Sequence, residues 1–329
     1  MAAAVSRDVS VDSLGRSHIT GPDGLPRAYS GSGTIVATRD KQAAGQPTAA
    51  DVVANAVYSS GGDVQEAVGR LYFEMTIDGF TGGYVCTGTA VKDQLRGYSA
   101  ILTAAHCVYD DYSGAFAKNV MFIPDQAASG TRTDLNCTND VYGCWIPTQA
   151  AVDPQWTSVL WPDNLAYDYG FYMVPTSGRH VQGTHPVSDS LESAIETLKI
   201  DWSASKGKPK YTFALGYSYV DDPALMYCAE QVGTIVGITD YTNLWLNGCA
   251  LSGGSSGGPW LQPEEGRELE GEEDIYSLNS WGFDDAPGMA GPVLQDPSRG
   301  MGRPHKLFNR LSSLASSADA LIGEVVTRF

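Results

Sequence analysis

The sequence predicts an all-β protein, a sandwich or barrel, and three observations carry that expectation. From Val68 onward, short runs of β-branched and aromatic residues are separated by Gly, Asn and Asp, the texture of short strands joined by turns. Helical periodicity is confined to two segments. With 43% hydrophobic and 10% aromatic residues over 329 positions, the chain can bury a substantial core. A prior of about 150 residues per domain suggests two units.

Taken in order, residues 1–66 contain only the aromatics Tyr29 and Tyr58 and are studded with Gly, Pro, Ser, Asp and Ala, too few large apolar groups to nucleate a core. They are expected to be a leader, propeptide or peripheral arm. Strand-like runs follow at Arg70–Ile77, Gly83–Val91, Ala100–Ala105, Asn119–Pro124, Tyr169–Val174, Lys210–Leu215, Gln231–Thr239 and Ile275–Trp281. Helices are expected at Asp189–Leu198 and at Phe308–Val326, where Leu311, Leu314, Ala318 and Leu321 recur at three- and four-residue steps.

Charge narrows the function classes. Lys plus Arg number 21 against 38 Asp plus Glu, a formal charge of −17, the wrong sign for neutralising a phosphate backbone or an anionic bilayer. No nucleic acid and no membrane surface is expected as a partner. The only charge run is Glu264–Asp274. The 6 cysteines, Cys86, Cys107, Cys137, Cys144, Cys228 and Cys249, show no zinc-like spacing. Disulfides in an oxidising compartment are expected, with 15 pairings open to six cysteines. The amino terminus shows no apolar signal core, because Arg7 and Asp8 follow close behind Met1–Val5.

Three segments carry candidate chemistry. In Ile101-Leu102-Thr103-Ala104-Ala105-His106-Cys107, apolar or small residues present an imidazole at the end of a buried strand. Such a histidine becomes a general base only beside a nucleophile and an orienting acid, and is otherwise structural. In Cys249-Ala250-Leu251-Ser252-Gly253-Gly254-Ser255-Ser256-Gly257-Gly258-Pro259-Trp260, a Gly/Ser string that would read as a linker is pinned at both ends. Its glycines let backbone N–H groups converge while a serine Oγ stays available. In Leu165–Val174, Asp168 interrupts an apolar run, and a buried carboxylate there requires a hydrogen-bonding partner such as an imidazole N–H. Asp110, Asp111 and Asp163 compete for that role, but lie in polar loops where a solvated carboxylate needs no partner.

The order His106, Asp168, Ser256 with these flanks resembles the chymotrypsin/trypsin-like serine endopeptidases. Thr103–Cys107 looks like the family's histidine motif and Gly254–Pro259 like its serine motif. Ser280-Trp281-Gly282 looks like the strand that pairs with substrate backbone and walls the primary pocket. The resemblance covers roughly residues 68–329. It implies two antiparallel six-stranded β-barrels over 67–329 with the site between them and a carboxy-terminal helix outside. It further implies His106 as general base, Asp168 as its orienting acid, Ser256 as nucleophile and the N–H groups of Gly254 and Ser256 as oxyanion donors. Polypeptides would be the substrates, no metal or organic cofactor would be needed, and a secreted monomer is expected. Within the same reading Cys86 pairs with Cys107, as the corresponding cysteines do in the family. Cys137 with Cys144 and Cys228 with Cys249 follow by proximity and elimination.

The chain also departs from the family pattern. Ser255 stands where digestive members carry an aspartate that captures a new amino terminus on activation. Val68–Phe73 instead resembles the first mature strand of the bacterial and glutamyl-endopeptidase-like branch. Counting back from Ser256 places Ala250, with Leu251 beside it, at the pocket floor, where enzymes cutting after Lys or Arg have an acid. Asn279 stands where glutamyl-specific relatives usually carry a histidine. Asp284 and Asp285 lie just past the pocket wall. Two other readings stay open: a catalytically silent homologue acting as a binding or regulatory module, and an esterase, whose serine would precede its acid and histidine.

Overall fold

A computed structural model describes residues 5–6, 9–11, 17–20 and 26–28 as backbone, and residues 52–314 and 325–328 apart from 78, 93–96, 130–134, 160, 177–179, 203–210, 236–242, 264–268, 270, 272, 285 and 295–302. Near the amino terminus, β1 (Val5–Ser6), β2 (Val9–Val11), β3 (Ser17–Thr20) and β4 (Pro26–Ala28) are followed by β5 (Val53–Val57) and one short helix, α1 (Gly62–Ala67). The first half of the body comprises β6 (Val68–Ile77), β7 (Phe80–Val91), β8 (Tyr98–Thr103), β9 (Tyr109–Asp110), β10 (Ala115–Phe116), β11 (Lys118–Pro124), β12 (Cys144–Trp145), β13 (Gln149–Val152), β14 (Gly170–Pro175) and β15 (His180–Val181). The second half comprises β16 (Tyr211–Gly216), β17 (Met226–Gln231), β18 (Gly233–Ile235), β19 (Asn243–Leu246), β20 (Pro259–Leu261), β21 (Ile275–Leu278), β22 (Trp281–Phe283) and β23 (Met289–Gly291). A helix, Arg303–Leu314, and a last strand, β24 (Val325–Arg328), complete the order.

Apart from the parallel pairs β1–β7 and β2–β22, the strands form antiparallel, curled sheets in two halves. The first-half sheet runs β15-β12-β11-β6-β7-β8-β14-β13-β24, with β1 added against β7. The second half is built from β21-β20-β16-β17-β5 and β18-β19-β23-β22-β2-β3-β4. Alternation is weak in β6 and β7 because both faces are covered, with Leu71, Phe73, Tyr84 and Cys86 buried on one and Tyr72 and Val85 on the other. One continuous apolar cluster joins Leu71, Ile101, Phe171 and Trp156 to Leu215, Leu278 and Trp281, so the halves share a core. Among the described residues no helix is long and apolar enough to cross a membrane.

Several expected elements shift. The Asp189–Leu198 segment contributes one helical turn, Leu191–Ala194, after which Leu198 bridges to Val91 and Ile200 to Ile275. Pairing with neighbouring strands overrides a short helical pattern there. The carboxy-terminal helix begins at Arg303, five positions before Phe308, with Pro304 in the first turn where a missing N–H costs nothing. Leu307, Phe308 and Leu311 bury, and Phe308 packs on Phe171 at 5.2 Å. Val325 and Val326 belong instead to β24, paired with Val152 and Ala151, in keeping with their β-branched side chains. Residues 315–324 lie outside the described set. The run expected at Gln231–Thr239 starts earlier, at Met226, and its part beyond Ile235 also lies outside.

The segment 1–66 contributes strands to both halves. β5 pairs with β17, Tyr58 N–H donates to Leu225 O at 2.8 Å, and Val64 is buried.

Candidate active site

His106 occupies a single 3-10 turn, Ala105–Cys107, directly after β8. Ala104, Ala105 and Cys107 are fully buried, and Tyr172 Oη donates to Cys107 O at 2.8 Å, so the turn is held from both sides. Cys107 is bonded to Cys86 on β7. Asp168 follows a second 3-10 turn, Asp163–Tyr167, and precedes β14. β14 lies antiparallel to β8 with Gly170 opposite Thr103, which turns the residues just before Gly170 toward those just after Thr103.

The two side chains meet there. His106 Nδ1–H donates to Asp168 Oδ2 at 2.8 Å and His106 N–H to Oδ1 at 2.9 Å. Ser280 Oγ–H donates to Oδ2 at 2.5 Å. Burial of Asp168 pushes its carboxyl up, but the His106 imidazole, its ring and main-chain N–H groups and the Ser280 hydroxyl outweigh that and hold it below the usual carboxylate range. His106 Nε2 is buried and makes no hydrogen bond. An unpaired polar atom in such a place is costly, the pattern expected where a group awaits a proton transfer.

Asp110 does not compete. Contrary to the expectation of a solvated loop acid it is only 1% exposed, but its carboxylate is occupied by Ser113, through the main-chain N–H at 2.8 Å and the hydroxyl at 2.5 Å. Asp111 accepts from Asn164 at 2.6 Å.

Ser256 sits in a tight turn before β20. Ser255 N–H donates to Ser252 O, Gly257 N–H to Asn279 O and Gly258 N–H to Ser255 O. The Ser256 N–H between them has no acceptor among the described residues. Gly257 has φ of 85°, and a Cβ there would collide with Thr103 and Thr87, so the chain just after Ser256 lies against the end of β8. Gly254 has φ of 91°, and a Cβ would come within 2.9 Å of Arg70 Nη1. The glycines are thus required by backbone shape and close approach.

Three residues hold this turn, of which the sequence reading noted Asn279 only as a pocket position and missed Thr87 and Arg70. Asn279, fully buried, donates to Leu215 O at 2.8 Å and Ser255 O at 3.0 Å and accepts from Trp260 Nε1 at 2.8 Å. Thr87 on β7 donates its hydroxyl to Gly254 O and accepts from Tyr217 N–H, both at 2.9 Å, while its main-chain N–H donates to Ser256 O at 2.8 Å. Arg70 on β6 is 1% exposed and donates to Tyr217 O at 2.5 Å and to Asp222 at 2.7 Å. A signal for Arg70 was present: a lone charge inside the apolar run Val68–Phe73 poses the same burial problem that singled out Asp168.

No protein-family model matches the chain, and no curated protein matches it by sequence. Solved structures do. The protease Anisep from Arthrobacter nicotinovorans superposes with a TM-score of 0.53 at 21% identity, covering 80% of this chain and 100% of that one. The thermostable serine protease AL20 from an extremophilic microorganism gives 0.53 at 20% identity, covering 76% and 98%. A Glu endopeptidase gives 0.50 at 15% identity, covering 79% and 97%. This is the chymotrypsin-like serine-protease fold.

In that fold the ten-stranded sheet containing β6, β7, β8, β11, β13 and β14, larger than the expected six strands because short edge strands add to it, belongs to the half carrying His106 and Asp168, and Ser256 comes from the other half. The cysteines are joined as Cys86–Cys107, Cys137–Cys144 and Cys228–Cys249. Around the expected pocket, Ala250 is exposed and its N–H donates to Ala54 O at 2.8 Å, while Leu251 packs in a cluster with Trp260 and Tyr276. Trp281 is buried against Trp245 at 5.9 Å, and Gly282 follows it in β22. Ser280 turns its hydroxyl to Asp168. Asn279 is spent on the Ser256 turn and offers no side-chain donor to a pocket. Asp284 is exposed, and Asp285, with most of Glu264–Asp274, lies outside the described residues.

Proposed function

We propose that the protein is a secreted serine endopeptidase that hydrolyses polypeptides through an acyl-enzyme. One observation carries the reading: Asp168 binds both nitrogens on one side of His106, ring and main chain, and leaves Nε2 buried and unbonded. With Nδ1 protonated by that contact, Nε2 is the lone-pair nitrogen, the form a general base requires.

Ser256 Oγ attacks the scissile carbonyl as His106 Nε2 takes its proton and then delivers it to the leaving amine. Asp168, held ionised by the groups around it, stabilises the imidazolium formed in between. The carbonyl oxygen, negative in the tetrahedral intermediate, is received by the N–H groups of Ser256 and Gly254, and loss of one such donor typically costs about 100- to 1000-fold in turnover. Water then repeats the sequence on the acyl group. No step calls for a metal or organic cofactor. Three disulfides suit an oxidising compartment, which supports export.

A fluorophosphonate probe tests the reading. Wild-type protein should be labelled on Ser256, with labelling abolished in Ser256→Ala and strongly slowed in His106→Ala. A wild type that resists labelling would leave the silent-homologue reading in its place.

A further inference from the structure

We propose that Met289 sets the depth of the slot that receives the substrate side chain on the acyl side of the scissile bond, and that the protein cleaves after small apolar residues such as alanine and valine. The inference rests on the serine-endopeptidase reading and names a substrate class for that same site.

The place of the slot follows from the chemistry. With the scissile carbonyl carbon at Ser256 Oγ and the leaving nitrogen turned to His106 Nε2, the acyl residue lies on the side away from His106. That side belongs to the half carrying Ser256, and three of its segments meet there. Residues 249–252 lead into the Ser256 turn, where Ser252 O accepts from Ser255 N–H. Ser280–Gly282 runs past Asp168, to which Ser280 donates its hydroxyl. Met289 on β23 stands directly opposite Gly282 on β22. Gly288 N–H donates to Cys249 O at 2.7 Å and Ser280 N–H to Ala290 O at 2.9 Å, so the three segments are fastened to one another.

Register decides which side chains enter. Directly paired residues share a face of a sheet, so Met289 and Gly282 do. Met289 packs in one apolar cluster with Leu251 and Cys249, and that face therefore looks toward the segment leading to Ser256. Trp281 and Ala290, paired with each other, take the other face, where Trp281 meets Trp245 at 5.9 Å. Gly282 contributes no side chain, and a Cβ there would come within 2.7 Å of Gly288 O, so the wall at that point is main chain. Beneath it Met289 and Leu251, each 7% exposed, close the slot.

The same cluster fixes the chemistry of what fits. Its buried members carry no charge. Glu230, two residues after Cys228 on β17, is 1% exposed and accepts from Gly248 N–H at 2.6 Å, so its carboxylate serves the main chain. A lysine or glutamate side chain in the slot would meet no counter-charge, and its lost hydration would go uncompensated. A leucine or phenylalanine would need the room that Met289 and Leu251 occupy.

The test measures kcat/KM of wild type and Met289→Ala, both as the full chain, on fluorogenic peptides that differ only in the residue before the scissile bond: Ala, Val, Leu, Phe, Lys or Glu. Labelling of Ser256 by a small fluorophosphonate is recorded on each sample. Wild type should favour the Ala and Val peptides by about tenfold or more, the discrimination that a methylene group or two gives in an apolar pocket. In Met289→Ala the Leu and Phe peptides should gain about tenfold relative to Ala, with labelling little changed. A wild type that prefers Leu, Phe, Lys or Glu overturns the proposal. So does a variant whose six rates fall together, since lost packing alone lowers all of them without changing their ratios. Should Met289→Ala fail to fold, Met289→Val, shorter and suited to a strand, should raise Leu over Ala in the same direction, and an unchanged ratio overturns the proposal. Absence of labelling in every sample defeats the peptidase reading instead.

Discussion

Asp168 grips His106 twice, through Oδ2 to the ring Nδ1–H and through Oδ1 to the main-chain N–H. The first contact sets the orientation of the ring and the second fixes the backbone that carries it, so the two together define where the imidazole points. Asp168→Asn should therefore lower kcat by about 10,000-fold, because an amide cannot hold the same ring tautomer. Stability should change with a defined sign. The folded carboxyl lies below its usual range, so its contribution is present above an unfolded value of about 3.9 and vanishes as pH falls through the folded one. Urea midpoints for wild type and Asp168→Asn should differ at pH 7 and converge in strong acid.

Arg70 and Asp222 form a buried pair at 2.7 Å beneath the Gly254 turn. Removing one partner of such a pair strands the other, at a cost of about 3–5 kcal/mol. Arg70→Leu should show that loss in chemical denaturation, together with a fall in kcat as Tyr217 O loses its donor. Arg70→Leu combined with Asp222→Leu should recover part of the stability and little of the activity. Equal recovery of both would mean that Arg70 has no part in positioning the turn.

Asn279→Ala removes the donor to Ser255 O and Leu215 O and the acceptor for Trp260 Nε1. Each buried group left unpaired costs about 1–3 kcal/mol. Since the turn rather than the pocket is loosened, the expected effect falls on kcat with KM little changed, read by steady-state kinetics on one peptide.

Asp125 has its carboxyl pushed up to about 6 mainly by burial and further by Glu66, against hydrogen bonds from Gln65 and Ala128. A raised carboxyl means that ionisation opposes folding, so stability is lost as pH climbs from the unfolded value of about 3.9 toward the folded one. Asp125→Asn should raise the thermal midpoint at pH 8 and leave it nearly unchanged at pH 4. Its φ of 45° is one that asparagine tolerates.

The strands of the body were legible because their β-branched and aromatic runs are local, as in Val68–Ile77 and Tyr98–Thr103. The residues brought together as a candidate site were legible because a histidine at a strand end, a carboxylate in an apolar run and a pinned glycine string each pose a local physical problem. What escaped reading depends on distant partners. Asn279 reads as a pocket position until Leu215 and Ser255 are folded onto it. Thr87 looks like any strand threonine until Gly254 arrives beside it. The strands at residues 5–28 form through main-chain pairing, which leaves little trace in composition, and the periodic pattern of 308–326 could not reveal that Val325 and Val326 find an open edge at β13.

Thr87 and Arg70 belong to the first half of the body, yet the groups they hold, Gly254, Ser256 and Tyr217, belong to the second. The loop carrying Ser256 is therefore shaped by the opposite half as much as by its own. Hybrids that join one half of this chain to the complementary half of a relative should lose turnover even when both parts fold, unless the threonine, the arginine and their acceptors travel together.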